Sequence, residues 1–179
     1  MVYIAKYTVK KKYSTSAIDK ASAHGRIEMV DWWFTSPAAP SDKKYTKLAI
    51  DGASSNGYVK MVSWWFTSLP KEMEKKYTTI AIDLASANGH VKMVCWWFTS
   101  LDAPPARELK YSEYAIDGAS AYGSSDMVRW WFTSPAAPPE KKYTSDAIKL
   151  ALLNKHIELS SWWLTSPESP ERKLVGTVA

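Results

Sequence analysis

Cysteine is nearly absent. Cys95 is the one thiol among 179 residues, so no disulfide can close within the chain. Long apolar runs are missing too. None approaches the ~18 residues that a membrane helix requires, so no membrane partner is expected. The opening stretch, Met1 to Lys12, has no long apolar core and no small-residue cleavage pattern, which argues against a signal peptide. No Asn-x-Ser/Thr sequon occurs. Together these absences lead to the expectation of a soluble intracellular protein, cytoplasmic by default.

Chemistry-bearing patterns are also lacking. The three histidines, His24, His90 and His156, have no Cys, His or carboxylate companions at metal-ligand spacing. No Gly-rich phosphate loop, nucleophile elbow or metalloprotease helix can be found. The expectation is therefore no enzyme, no metal and no cofactor. Neither charge dominates: 23 basic against 18 acidic residues leave a net +5. That balance does not argue for nucleic acid.

What is abundant is tryptophan, ten residues in five adjacent pairs: Trp32/Trp33, Trp64/Trp65, Trp96/Trp97, Trp130/Trp131 and Trp162/Trp163. Each pair follows a tyrosine by 19 and 20 positions: Tyr13, Tyr45, Tyr77, Tyr111 and Tyr143. Subtraction gives tyrosine spacings of 32, 32, 34 and 32 residues. A period of this length is the mark of a repeat array.

Each unit reads as two short helices. Ser14, Thr46, Thr78, Ser112 and Thr144 stand where an N-cap hydroxyl belongs. Ala81, Ile82 and Ala85 give the first helix an apolar side. Gly25, Gly57, Gly89 and Gly123 suit the left-handed residue that ends it. Val91, Val94 and Trp97 then form the stripe of the second helix. All ten prolines (Pro37, Pro40, Pro70, Pro104, Pro105, Pro135, Pro138, Pro139, Pro167 and Pro170) fall in the connectors, where they interrupt no helix. A two-helix unit cannot bury its apolar face alone, so it must stack on its neighbours.

The segment Leu84-Ala-Ser-Ala-Asn-Gly-His-Val-Lys-Met-Val-Cys-Trp-Trp resembles the ankyrin-repeat phrase Leu-Ala-Ala-x-x-Gly-His-x-x-Val-Val-x-Leu-Leu. The likeness runs from Tyr13 to about Ser166. It departs where Ile80-Ala-Ile-Asp83 replaces the Thr-Pro-Leu-His opening, where Trp-Trp replaces Leu-Leu, and where Pro-containing connectors replace the β-hairpin finger. The resemblance implies an all-α, ankyrin-like α-solenoid of five stacked helix-turn-helix repeats. Its divisions are an N-terminal extension (1–12), repeats at 13–44, 45–76, 77–110, 111–142 and 143–169, and a C-terminal tail (170–179). It also implies a non-catalytic protein-binding scaffold or adaptor, and gives His90 a turn-stabilising hydrogen bond.

Adjacent residues on a helix point ~100° apart, so one ring of each pair is expected in the shared core and the other near its boundary. Trp33, Trp65, Trp97, Trp131 and Trp163 are read as the core set. Asp19, Asp51, Asp83 and Asp117 recur once per unit, too far apart for paired-carboxylate chemistry. A repeated hydrogen bond to the neighbouring connector or helix is expected instead. The lysine pairs before the tyrosines, such as Lys43/Lys44 and Lys75/Lys76, form either a solvated edge or a site for an acidic partner. Cys95 is expected to be exposed. The Ser-Pro sites at Ser36, Ser134, Ser166 and Ser169 could take phosphate or O-linked sugar.

Positions that change between units are where a partner can be recognised. Lys47, Leu48, Tyr58, Ile80, Glu113, Tyr114, Tyr122 and Asp146 form the candidate protein-binding set, with the tyrosines as aromatic anchors. The turn series His24, Asn56, Asn88, Tyr122 and Asn154 also varies. The fifth unit carries Leu152 and Leu153 where the others have Ser or Ala, and Lys155 where they have Gly. Either the tail with Leu174, Val175 and Val178 covers that end, or another subunit does. In the second case the chain is a structural subunit that assembles head to tail into a filament or tube. Carbohydrate binding by exposed tryptophan is a third reading.

Overall fold

The computed structural model describes residues 14–70 and 72–170; the candidate assembly residues Leu174 and Val175 lie outside them. The described residues are all-helical and contain no strand. The helices come in five pairs, here called units. They are α1 (Ser16–Ala23) with α2 (Ile27–Thr35), α3 (Leu48–Ser55) with α4 (Val59–Thr67), and α5 (Ile80–Ala87) with α6 (Val91–Thr99). The last two pairs are α7 (Tyr114–Ala121) with α8 (Ser125–Thr133), and α9 (Asp146–Leu153) with α10 (Ile157–Thr165).

Each first helix has eight residues and each second helix nine. Helices this short are marginal alone in water, so packing must hold them. In units two to five the expected hydroxyls bond the first turn: Thr46 Oγ1 accepts the Leu48 N–H at 3.1 Å, Thr144 Oγ1 accepts that of Asp146 at 3.1 Å, and Thr78 and Ser112 act alike. The first helices end in Schellman closures. Gly57 N–H donates to the Ser54 carbonyl and Tyr58 N–H to the Ala53 carbonyl, with Gly57 at φ +73°. The second helix begins at the next residue.

The recurring Phe-Thr-Ser phrase ends the second helix. Thr35, Thr67, Thr99, Thr133 and Thr165 return their hydroxyls to the carbonyl four residues back. Ser36, Ser100, Ser134 and Ser166 accept the N–H two residues on and so open the connector. No proline lies inside a helix. The longer connector between α6 and α7 holds one 3-10 turn, Ala106–Glu108.

The helices pack in chain order. The first helices form one close row, α1 to α9, and the second helices form a sparser row beside it. Aromatic side chains fill the wider gaps of that second row. The buried apolar residues form a single cluster running through all five units. The three inner units repeat the same set, as in unit three: Ala81, Ile82, Ala85, Met93, Val94 and Trp97. Met93, which the valine–tryptophan stripe leaves out, is fully buried, whereas Val91 is only partly so.

Candidate functional site

The side chains that could carry chemistry are first claimed by the junctions between units. Asp51 Oδ1 accepts the Thr78 N–H at 2.8 Å, and its Oδ2 accepts the Thr78 hydroxyl at 2.7 Å. Asp19 holds Thr46, Asp83 holds Ser112 and Asp117 holds Thr144 in the same two-point grip. This is the inter-unit bond that their once-per-unit spacing predicts. The same hydroxyl caps the next first helix, so one carboxylate orders both the junction and the helix start. Burial pushes the Asp51, Asp83 and Asp117 carboxyls above the ordinary range, while their Thr and Ser donors pull the other way.

The indoles supply a second tie. Trp65 Nε1 donates to Ser22 Oγ at 3.2 Å, Trp97 to Ser54 at 3.3 Å, Trp131 to Ser86 at 2.8 Å and Trp163 to Ser120 at 3.3 Å. A buried indole N–H needs such a partner. Trp33, Trp65, Trp97, Trp131 and Trp163 are all buried. The first ring of each pair stands edge-on to the second, with centroids 5.3–5.6 Å apart. In units two to five it packs against the phenylalanine of the preceding unit, as Trp96 does against Phe66 at 5.6 Å. Phe98 accordingly faces Trp130 and Trp131 rather than the indoles of its own unit. Trp32 is the exposed indole.

The turns interlock as well. A Cβ placed on Gly57 would stand 2.8 Å from His90 Nδ1, and one on Gly25 would stand 2.7 Å from the Tyr58 ring. Glycine there serves both the left-handed backbone and the close approach of the next unit. The turn position that reads as freely variable is partly structural. Asn56, Asn88 and Asn154 donate to the carbonyls of Ala23, Ser55 and Ala121 in the preceding unit. His156 Nε2 reaches that same Ala121 carbonyl at 2.9 Å.

The lysines before the tyrosines lie over aromatic rings. Lys76 is 5.3 Å from the Tyr45 ring centre, Lys110 is 4.9 Å from Tyr77 and Lys142 is 4.3 Å from Tyr111. Lys110 and Lys142 also donate to the carbonyls of those tyrosines. Tyr45 in turn donates its hydroxyl to the Glu74 carbonyl at 2.7 Å. Burial holds the hydroxyls of Tyr45, Tyr77 and Tyr111 above the usual phenol range.

Two modification readings need correcting. Ser166 and Ser169 are buried, and Ser169 donates to the Trp163 carbonyl at 2.6 Å. Cys95 is half-buried beside Thr99, not exposed. Among the described residues, no group of three or more His, Cys, Asp or Glu side chains comes together as a metal site. Nor is any described helix long and apolar enough to cross a membrane.

The remaining candidates sort by position. Leu48, Ile80, Tyr114 and Asp146 occupy one register at the start of α3, α5, α7 and α9, and all are exposed. Lys47 and Glu113, also exposed, immediately precede two of them. Tyr122 follows α7, and its hydroxyl lies 3.5 Å from that of Tyr114. Tyr58 is half-covered, with one face on Gly25. Leu152 and Leu153 are exposed at the end of α9. Sequence reasoning missed the seam serines Ser22, Ser54, Ser86 and Ser120. Their invariance from unit one to unit four, broken at Leu152, was the available signal. No protein-family model matches the chain, and no curated protein matches it.

Proposed function

We propose that this chain is an ankyrin-like array of five units that works as a non-catalytic protein-binding scaffold, inside the cell. One observation carries the reading. Leu48, Ile80, Tyr114 and Tyr122 are 40–63% exposed, and the junction contacts described above draw on the backbone of Leu48 while its side chain stays exposed. They crowd one face of the first-helix row, where Lys47, Glu113 and Asp146 add charge of both signs. A contiguous exposed apolar patch with a polar rim is the usual form of a protein-recognition surface. Packed helices stand ~8–10 Å apart, close to the ~10.5 Å between residues seven apart on a helix. A partner helix with one apolar stripe would match the Leu48–Ile80–Tyr114 row.

The non-catalytic reading rests on where the polar groups are spent. The clamp carboxylates hold hydroxyls, the seam serines hold indoles, and the lysines lie on rings. Sugar binding by tryptophan draws little support, since Trp32 alone among the indoles is exposed. Head-to-tail assembly is the second reading. Exposed Met29 and Trp32 at one end, and Leu152, Leu153, Ile157 and Leu164 at the other, favour it. Lys149, Leu152 and Lys155, standing where inner units have Asp, Ser and Gly, count against assembly in the register that joins those units.

The test is a comparison of chemically cross-linked partners for the natural chain and a Leu48→Asp/Ile80→Asp/Tyr114→Ala variant. Surface changes of this kind leave stability within roughly 0.5 kcal/mol each. The expected result is an unchanged melting curve with specific cross-links lost. An unchanged set of cross-links would refute the assigned face. Light scattering over a concentration range separates the two readings: a constant monomer mass favours the scaffold, and growing particles favour the filament.

A further inference from the structure

The exposed positions of the first-helix row change character along the array. Leu48, Ile80 and Tyr114 share one register, which Ser16 and Asp146 occupy in units one and five. The apolar stretch is therefore confined to units two to four. Two steps of ~8–10 Å make it ~16–20 Å long, about three to four turns of a partner helix. Its aromatic end is at unit four. The Tyr114 ring lies back over its own helix, so that a Cβ on Gly118 would stand 3.0 Å from its Cε1, and its hydroxyl lies 3.5 Å from that of Tyr122. A ring already seated loses little freedom when a partner covers it.

The residue just before the row sets the charge. Lys47 and Glu113, both exposed, hold equivalent places in units two and four, with Thr79 between them. Neither joins an ion pair among the described residues. Lys47 also borders a cleft of about 450 Å³ at the start of units two and three. Lys75, Lys76 and Lys110 line this cleft too, against one carboxylate, Glu74. Glu74 meets Lys76 at 3.9 Å, so the cleft keeps a surplus of positive charge. Lys76 and Lys110 stand over the Tyr45 and Tyr77 rings, which holds their ammonium groups at the cleft.

The buried clamp carboxylates register the same change of sign. Burial is the main influence on each, and the Thr or Ser donors oppose it. Beyond these, Lys47 and Lys110 draw the Asp51 carboxyl down, whereas Glu113 pushes Asp83 up, and Asp146 with Glu113 pushes Asp117 up. Asp146 is itself paired with Lys149 at 3.6 Å, so Glu113 is the acid left for a partner.

Charge complementarity then selects the partner. A helix is most stable with acidic residues in its first turn and basic residues in its last. We infer that the first-helix face receives an amphipathic helix running from unit two to unit four. Its acidic N-terminal turn lies at the Lys47 cleft, its apolar stripe on Leu48, Ile80 and Tyr114, and its basic C-terminal turn at Glu113. The inference rests on the scaffold reading and adds to it the chemistry and direction of the partner.

The probe is a synthetic helix of about 18 residues with leucines seven apart, Glu in the first turn, Lys in the last and a nitroxide label on its N-terminus. It is added to the isotope-labelled chain. The label is expected to broaden amide signals of α3 and to spare those of α7. Lys47→Glu should weaken binding about tenfold at low salt, and added salt should narrow that gap. In a Lys47→Glu/Glu113→Lys chain the broadening should move to α7. Broadening centred on α7 of the natural chain, or equal over both helices, overturns the direction; the face still stands if Leu48→Asp/Ile80→Asp abolishes binding. No binding at all, or binding that the Leu48→Asp/Ile80→Asp chain retains, overturns the face itself.

Discussion

The Asp83 carboxylate takes both the N–H and the hydroxyl of Ser112, so removing it orphans two groups at a buried seam. Asp83→Ala is expected to cost about 2–3 kcal/mol in urea unfolding. Asp83→Asn, which keeps an acceptor for the N–H, should cost clearly less. The pH dependence has an unusual sign. Burial raises the Asp51, Asp83 and Asp117 carboxyls in the folded chain, so the folded state binds protons more readily than the unfolded one. From these groups, stability is greatest below the ordinary carboxylate range and falls as pH rises through the window just above it. The melting temperature of the natural chain minus that of Asp83→Asn should therefore grow on acidification through that window. A difference that stays flat or shrinks would contradict this account of the clamp.

At the scale of the helix and its ends, much is legible in the order of residues alone. Hydroxyls before each first helix, glycines after the first four of them and prolines kept to the connectors all act within a few residues of where they sit. Local chemistry therefore specifies them. The seam serines and turn asparagines are not legible in this way. Ser54 meets Trp97 43 positions away, and Asn56 meets the Ala23 carbonyl 33 away, contacts that exist only once units are stacked. The lysines mislead for the same reason: the ring beneath Lys142 belongs to Tyr111, in the preceding unit's register. Lys155 offers a clean test of the helix-end account. It holds φ +61° where inner units hold glycine, a conformation costing an L-residue about 1–2 kcal/mol. Lys155→Gly is expected to raise stability by about 1 kcal/mol. Gly57→Ala should lower it by more than that, because a Cβ there also meets His90.

Across the whole molecule, the units share one interior. Trp97 touches Phe66 and Tyr77, and donates to Ser54 in the preceding unit. Its truncation is expected to cost about 3–5 kcal/mol. The candidate binding face follows from this sharing, because what the junctions consume leaves Leu48, Ile80 and Tyr114 as spare apolar surface along the first-helix row. Hydrogen exchange compared between the natural chain and Trp97→Ala tests the shared interior most directly. Exchange should quicken together in α3, α4, α5 and α6, on both sides of the seam. Quickening confined to α6 would mean that each helix pair holds its own core, and the account would fail.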